Sequence, residues 1–419
     1  MLFRYTRVAH MNTWKKNIRF FVVLLICILA GAEVDIFVPS FPELQKTFSL
    51  SPAMVQLTVS VNFLAYCICS LFAGSMGDRF NRRTVMLVSL AIFVFGSAAC
   101  VFATDYFTLV FGRLLQGVGM AGPAVLGMLL VLDDCAPEKR AGTMGIFNGL
   151  VTLSMAFAPV LGSYINLHFG WRGNFWVLFL LSACSLIGGY FTILDKKGDP
   201  SVVLSPMAYK PLIRSRELMI CILGMSFLSM TYWLFIAMAP ILYMDNLGVP
   251  LSQFGFYQGA MCGVFSVVSL FSPSILAIWG QRKMLNLGIL LCAMGGALFL
   301  ILSLFVPDNP LYITGAMLLF SIGAVFPCNI IYPISLEILP KSSGRSAALM
   351  NSIRLLLTAG AVQGVGIFYD GSFFPIGITQ FCSMFIGVFL IAWTMRIVKI
   401  QDAQDTVSAL ESPNIHAAL

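Results

Sequence analysis

Twelve stretches of about 20 residues, each nearly free of charge, constrain this chain more than any other feature. They fall at 19–38, 53–75, 84–104, 107–131, 143–165, 174–194, 217–243, 254–278, 284–306, 311–334, 346–368 and 374–396. A helix of that length spans the hydrocarbon core of a bilayer. Inside that core there is no water to pair with the backbone, so a crossing segment must bond its own N–H and C=O groups. The predicted fold class is an all-α membrane protein with twelve transmembrane helices. Composition agrees: 59% of residues are hydrophobic and 10% charged, against about 25% charged in soluble chains. That is too little polar material for a water-facing surface, which excludes a cytosolic enzyme, a disordered regulator and a nucleic-acid module. The first run ends through Glu33 and Asp35 and is followed by Pro39 and Pro42 rather than a small-residue cleavage site, so it reads as a retained helix, not a signal peptide.

The connections are short except for one. Residues 195–216 carry Lys196, Lys197, Asp199, Pro200, Pro206, Lys210, Pro211 and Arg214. This linker divides the chain into two sets of six spans, 1–194 and 217–398, followed by a tail at 399–419. The expected arrangement is two six-helix bundles related by a pseudo-two-fold axis, as in duplicated transporter folds. The best internal trace of duplication is the loop after the second span of each half, Gly77-Asp-Arg-Phe-Asn-Arg-Arg83 and Trp279-Gly-Gln-Arg-Lys283.

The 25 positive residues are sorted by side. With twelve spans both termini share a side, and twenty-one lysines and arginines lie in the segments on that side. Only Lys46 and Arg172 lie on the other, while Arg113 and Arg354 fall inside spans. Such an asymmetry places both termini in the cytoplasm. The net charge of +7 is thus topological, and no nucleic-acid partner is expected. Ten of the eleven cysteines, all but Cys135, lie within spans, where they read as small apolar residues. There is no CxxC pair or histidine cluster, so neither a metal nor a disulfide is predicted.

The charges that break the pattern are the candidate site. An arginine in a hydrophobic span costs about 2.5–3.5 kcal/mol on insertion scales and needs a counter-charge or a wet cavity. Arg113 lies at a depth comparable to Glu33 and Asp35 on the first span. These acids are separated by about 200° around a helix axis, so only one of them can face a given partner. A buried acid beside an arginine has two states, ionised and paired or protonated and released, which is what proton coupling requires. Arg354 lies near mid-membrane in the eleventh span with no acid at matching depth in the second half. It must face a cavity, a first-half acid or an anionic substrate. Polar, aromatic and methionine positions suggest a substrate cavity lined by Asn62, Tyr66, Gln116, Asn148, Met155, Tyr232, Phe235 and Tyr257. Asn81, in the loop after the second span, is expected to supply left-handed φ for a tight reversal, and Asp78 to cap a helix N-terminus. Pro159 and Gly162 mark a bend in the fifth span.

Five segments together resemble the major facilitator superfamily. Gly74–Arg83 is similar to its loop signature, with Asn81 in place of a glycine. Arg113, Gln116, Gly117 and Gly119 match the fourth-helix signature of proton-coupled members. Ala158-Pro159-x-x-Gly162-Ser163 is similar to the antiporter signature of exporters, departing from it at Ala158 and Ser163. Asp35-x-x-x-Pro39-x-x-Pro42 and Gly170-Trp171-Arg172 resemble the twelve-spanner drug:proton antiporters, most closely the Bcr/CflA-like branch. The resemblance implies two bundles around a central cavity and alternating access by rocking. It makes Asp35 the protonation site and Arg113 its coupling partner. Gly74, Asp78, Arg79, Arg82 and Arg83 would form a conformational latch, Asp78 docking at the start of the eleventh helix near Ser342–Gly344. Glu33 is a candidate from the residues alone, since the second acid of some relatives falls here at Cys27.

The expected function is proton-coupled export of small amphipathic molecules from a bacterial inner membrane. It needs no cofactor beyond the proton gradient, and its partners are the small-molecule substrate, protons and the bilayer, with the chain acting as a monomer. One alternative is export of an anionic metabolite such as a carboxylate siderophore, motivated by Arg354. Another is a membrane sensor or scaffold without turnover. No nucleophile–base or metal constellation suggests an enzyme.

Overall fold

The computed structural model describes residues 13–134, 140–195, 206–339 and 342–397. Within them the chain is helical. Eleven stretches are long and apolar enough to cross a membrane. One of these, Gly149–Thr192, has 44 residues, about twice a single crossing. It lies in the helical stretch Arg140–Thr192, which breaks at Gly170 with φ 66° and ψ −177°. Among the described residues the spans are therefore twelve: α1 (Thr13–Phe37), α2 (Pro52–Arg79), α3 (Arg82–Val101), α4 (Tyr106–Asp134), α5 and α6 (140–169 and 171–192), α7 (Arg216–Pro240), α8 (Leu251–Trp279), α9 (Gln281–Phe305), α10 (Pro310–Glu337), α11 (Ser343–Phe368) and α12 (Phe374–Ile397).

Local chemistry sets the helix starts. Ser51, Ser215 and Asn309 accept backbone N–H bonds at the starts of α2, α7 and α10, and Pro52 and Pro310 occupy first-turn positions where no N–H is needed. Asn81 does the same for α3, its Oδ1 accepting from the Arg83 N–H at 2.9 Å. This corrects its expected role. Its φ is 164°, extended rather than left-handed, and it stands at this loop because it caps. It also donates to Asp195. Asp78 lies in the last turn of α2, and its side chain is outside the described residues.

The surface is the inverse of a soluble protein's. Phe95, Phe191, Phe305 and Phe389 project outward and are exposed, as lipid-facing residues should be. Two apolar cores hold the molecule. One is built from α1–α6 and the other from α7–α12, with Ile236, Ile241, Cys262, Leu355 and Ala359 of the second half joining the first core. Across the halves, α2 packs along α11 and α5 along α8. On the far side, away from the termini, the halves also meet through Val38–Ser40 at the end of α1, which touches α7 and α8. Gln56 Nε2 donates to Ala237 O there at 2.8 Å. The Lys210–Arg214 turn of the linker docks between the halves near the termini, with Tyr209 Oη donating to Leu71 O at 2.6 Å.

Gly170-Trp171-Arg172 forms the corner that turns α5 into α6. Glycine supplies the positive φ. Trp171 is buried against Phe48 and Phe175. Arg172 lies over the Trp171 ring at 4.2 Å and donates to Ala103 O at 2.7 Å.

Candidate functional site

The α1 and α4 helices bring together the charged pair at the centre of the first bundle. Arg113 Nη1 donates to Glu33 Oε1 at 2.9 Å, with both side chains essentially inaccessible. Asn62 of α2 reinforces it, Nδ2 donating to Glu33 Oε1 at 2.7 Å and to Arg113 O at 3.1 Å. On the other side Gln116 Oε1 accepts from Arg113 Nη1 at 2.7 Å, and Gln116 Nε2 donates to Ser97 Oγ of α3 at 2.9 Å. The Phe37 ring covers the guanidinium, 4.8 Å from Cζ. Six residues from four helices thus hold one carboxylate against one cation.

That arrangement corrects the partner expected for Arg113. Glu33, not Asp35, pairs with it. Asp35 is fully buried on another face of α1, where Gln258 of α8 donates to its Oδ1 at 3.5 Å. The physical reason is the 200° divergence of the two acids. The α1–α4 contact selects Glu33, and the far-side contact between the halves takes Asp35.

Two cavities share a wall, and Glu33 lines the first of them. The first, of about 270 Å³, is lined by Cys27, Gly31, Glu33, Phe63, Tyr66, Pro123, Val151, Met155, Trp233 and Arg354 among others. The second, of about 210 Å³, includes Thr152, Met155, Tyr232, Trp233, Cys262, Cys328 and Arg354. Met155, Trp233 and Arg354 belong to both. Of the expected lining, Tyr66, Met155, Tyr232 and Arg354 are on the walls. Asn62 and Gln116 are not, because both are spent on the Glu33–Arg113 pair. Phe235 and Tyr257 are also off the walls: Phe235 packs on Phe299 and Tyr243 in the second core, and Tyr257 stacks edge-on to Tyr243 with centroids 5.5 Å apart. The Asn148 side chain lies outside the described residues.

Sequence reasoning missed Trp233 and Gln258. Trp233 sits edge-on to Phe63 and Tyr232, with centroids 5.8 and 5.7 Å away. Gln258 is a fully buried amide in an apolar run, and that polarity was the available signal.

The latch residues are placed as follows. Gly74 faces Val125 of α4, Arg79 ends α2 with its guanidinium over Phe80, and Arg82 opens α3. Arg83 Nη2 donates to Tyr190 O at 2.8 Å. The docking of Asp78 near Ser342–Gly344 involves a side chain outside the described residues. Pro159 and Gly162 lie within continuous helix, and the break in this stretch is at Gly170. A Cβ on Gly162 would sit 2.3 Å from Ile36 O, so its absence lets α5 touch the α1 backbone beside Asp35.

Comparison with known proteins places this geometry. The multidrug resistance protein MdtL of Escherichia coli O81 (strain ED1a) is 25% identical over 353 residues, covering 82% of this chain and 89% of the relative. MdtL of Shigella boydii serotype 18 (strain CDC 3083-94 / BS512) matches to the same extent. The fold is shared with a partially occluded, inward-open structure of the xylose transporter XylE from E. coli (TM-score 0.70, 12% identity, 92% of this chain and 98% of that one). It is also shared with the human organic anion transporter MFSD10 (TM-score 0.68, 16% identity, 91% and 100%). The sequence profile of the Major Facilitator Superfamily matches residues 23–362. The twelve-helix architecture, the paired charges at its centre and this match agree: the chain is a multi-pass membrane transporter and belongs to the Major Facilitator Superfamily.

Proposed function

We propose that the protein is a proton-coupled exporter of small amphipathic molecules working by alternating access. It would lie in a bacterial inner membrane with both termini in the cytoplasm. The observation that carries this reading is the Glu33–Arg113 pair. Its carboxylate lies on the wall of a central cavity, buried and held by a single cation. Ionised, Glu33 holds Arg113 and Asn62. Protonated, it loses its own charge and leaves Arg113 as a net positive centre with Gln116 still its acceptor. A proton and a cargo reaching the same wall then alter one another's binding. Asp35 takes a separate part at the α1–α8 contact, where its protonation would change how firmly the far side closes. The export direction is supported by the Ala158–Ser163 segment and by the likeness to a multidrug resistance protein. The cytoplasmic placement of the termini is supported by the sorting of lysine and arginine.

Everted vesicles with an imposed pH gradient test this reading, with uptake of a panel of amphipathic dyes as the readout. Glu33→Gln and Asp35→Asn are each expected to abolish gradient-driven uptake while the protein stays folded and inserted. Wild-type uptake rates in Glu33→Gln would sink it.

A further inference from the structure

We infer that the cargo bears an anionic group which docks on Arg354, with its apolar, ring-bearing body against Trp233. The inference deepens the transport reading above and rests on it for the word cargo.

The charge balance comes first. Both cavities share Arg354, and the first also holds Glu33. Glu33 is already neutralised by Arg113 at 2.9 Å. No carboxylate among the described residues pairs with Arg354, whose Nη2 donates to Asn351 Oδ1 at 2.6 Å. The wall shared by the two cavities thus carries Arg354 with no acid paired to it, while Asp35, the other buried acid of α1, lines neither cavity and is met by Gln258. In a membrane interior such a charge is costly until an anion or water meets it.

The donor geometry is the second observation. Arg354 Nε is buried and has no acceptor. A guanidinium presents its N–H groups in a rigid planar fork suited to carboxylate, sulfonate or phosphonate oxygens. Asn351, one turn earlier on α11, fixes one arm of the fork and leaves Nε–H for an incoming oxygen.

The rest of the wall sets the body of the molecule. Phe63, Trp233 and Tyr232 form an edge-to-face series beside Met155, which borders both cavities. Aromatic edges and a thioether favour a flat ring system over a sugar or a peptide. The guanidinium stands where the two cavities meet, so the acidic group would anchor centrally while the ring extends into either cavity.

Three probes of one shape test this: naphthalene-2-sulfonate, naphthalene-2-sulfonamide and (2-naphthylmethyl)trimethylammonium. Equilibrium binding is measured on the full chain in nanodiscs without a pH gradient. The sulfonate is expected to bind at least about tenfold tighter than the sulfonamide, in keeping with a charge-assisted bond in a dry site. Arg354→Gln should bring that ratio close to one with the sulfonamide unchanged, and Arg354→Lys should keep part of it. Trp233→Leu should weaken sulfonate and sulfonamide alike. Equal binding of the two by wild type, tighter binding of the ammonium probe, no binding of the sulfonate, or a ratio surviving in Arg354→Gln would each overturn the assignment. A failure of proton antiport would appear in the vesicle assay and leave this binding ratio untouched.

Discussion

Glu33 and Arg113 are a carboxylate and a guanidinium taken out of water together, each useful only while the other is present. Breaking one partner of such a pair typically costs about 3–5 kcal/mol, because the remaining charge is buried alone, whereas replacing both with apolar groups is often close to neutral. Glu33→Leu and Arg113→Leu are therefore each expected to lower the thermal midpoint in detergent substantially. The double variant should recover most of the loss while transporting nothing. If the double variant is as unstable as the sum of the singles, the two residues are not coupled and the pair is incidental.

Much of this site was legible in the residues. Arg113, Glu33, Asp35 and Arg354 stand out because each is expensive where it lies. Which acid meets Arg113 was not legible, because the rotation of α1 is fixed by contacts distant in sequence. The close approach of Gly117 to the Asn62 backbone, where a Cβ would lie 2.2 Å from the carbonyl oxygen, sets the α2–α4 distance that brings Asn62 to Glu33. Asn81 shows a different limit, since its side chain serves caps and turns equally well and only the backbone decides between them.

At the scale of elements, the spans were readable from hydropathy because the bilayer demands continuous apolar helix, whereas their contacts are set by where side chains are missing. Gly162 lies on α5 with the Ile36 carbonyl in the space its Cβ would fill. Gly162→Ala should push α1 and α5 apart next to Asp35, lowering both the thermal midpoint and gradient-driven uptake. Gly360 on α11 has open space at its Cβ position. Gly360→Ala should be neutral or stabilising by up to about 1 kcal/mol through helix propensity alone. Equal behaviour of the two variants would show that close packing at Gly162 is unimportant. Gly170→Ala is a third case, penalised by conformation: φ 66° with ψ −177° is a region almost confined to glycine, and strain of this kind costs on the order of 1–3 kcal/mol.

For the whole molecule, the distribution of contacts between halves carries the argument. The α2–α11 and α5–α8 seams run along the bundle, and the far ends are closed further by Val38–Ser40 against α7 and α8 and by Gln56 on Ala237. The α4 and α10 helices have no comparable packing among the described residues. The far ends are thus held together by backbone and side-chain contacts, and under the alternating access proposed above they must part in turn. Gly366 at the far end of α11 lies against α2, a Cβ there falling 3.2 Å from Ala53 Cα. Cysteines at both positions would therefore be close enough for a bond. Oxidising Ala53→Cys/Gly366→Cys should reduce gradient-driven uptake to background, reduction should restore it, and either single cysteine should be indifferent to both treatments. Full uptake by the oxidised, cross-linked protein would mean that the far ends of α2 and α11 need not part during transport, and a rocking motion of the two halves about the central cavity would have to be abandoned.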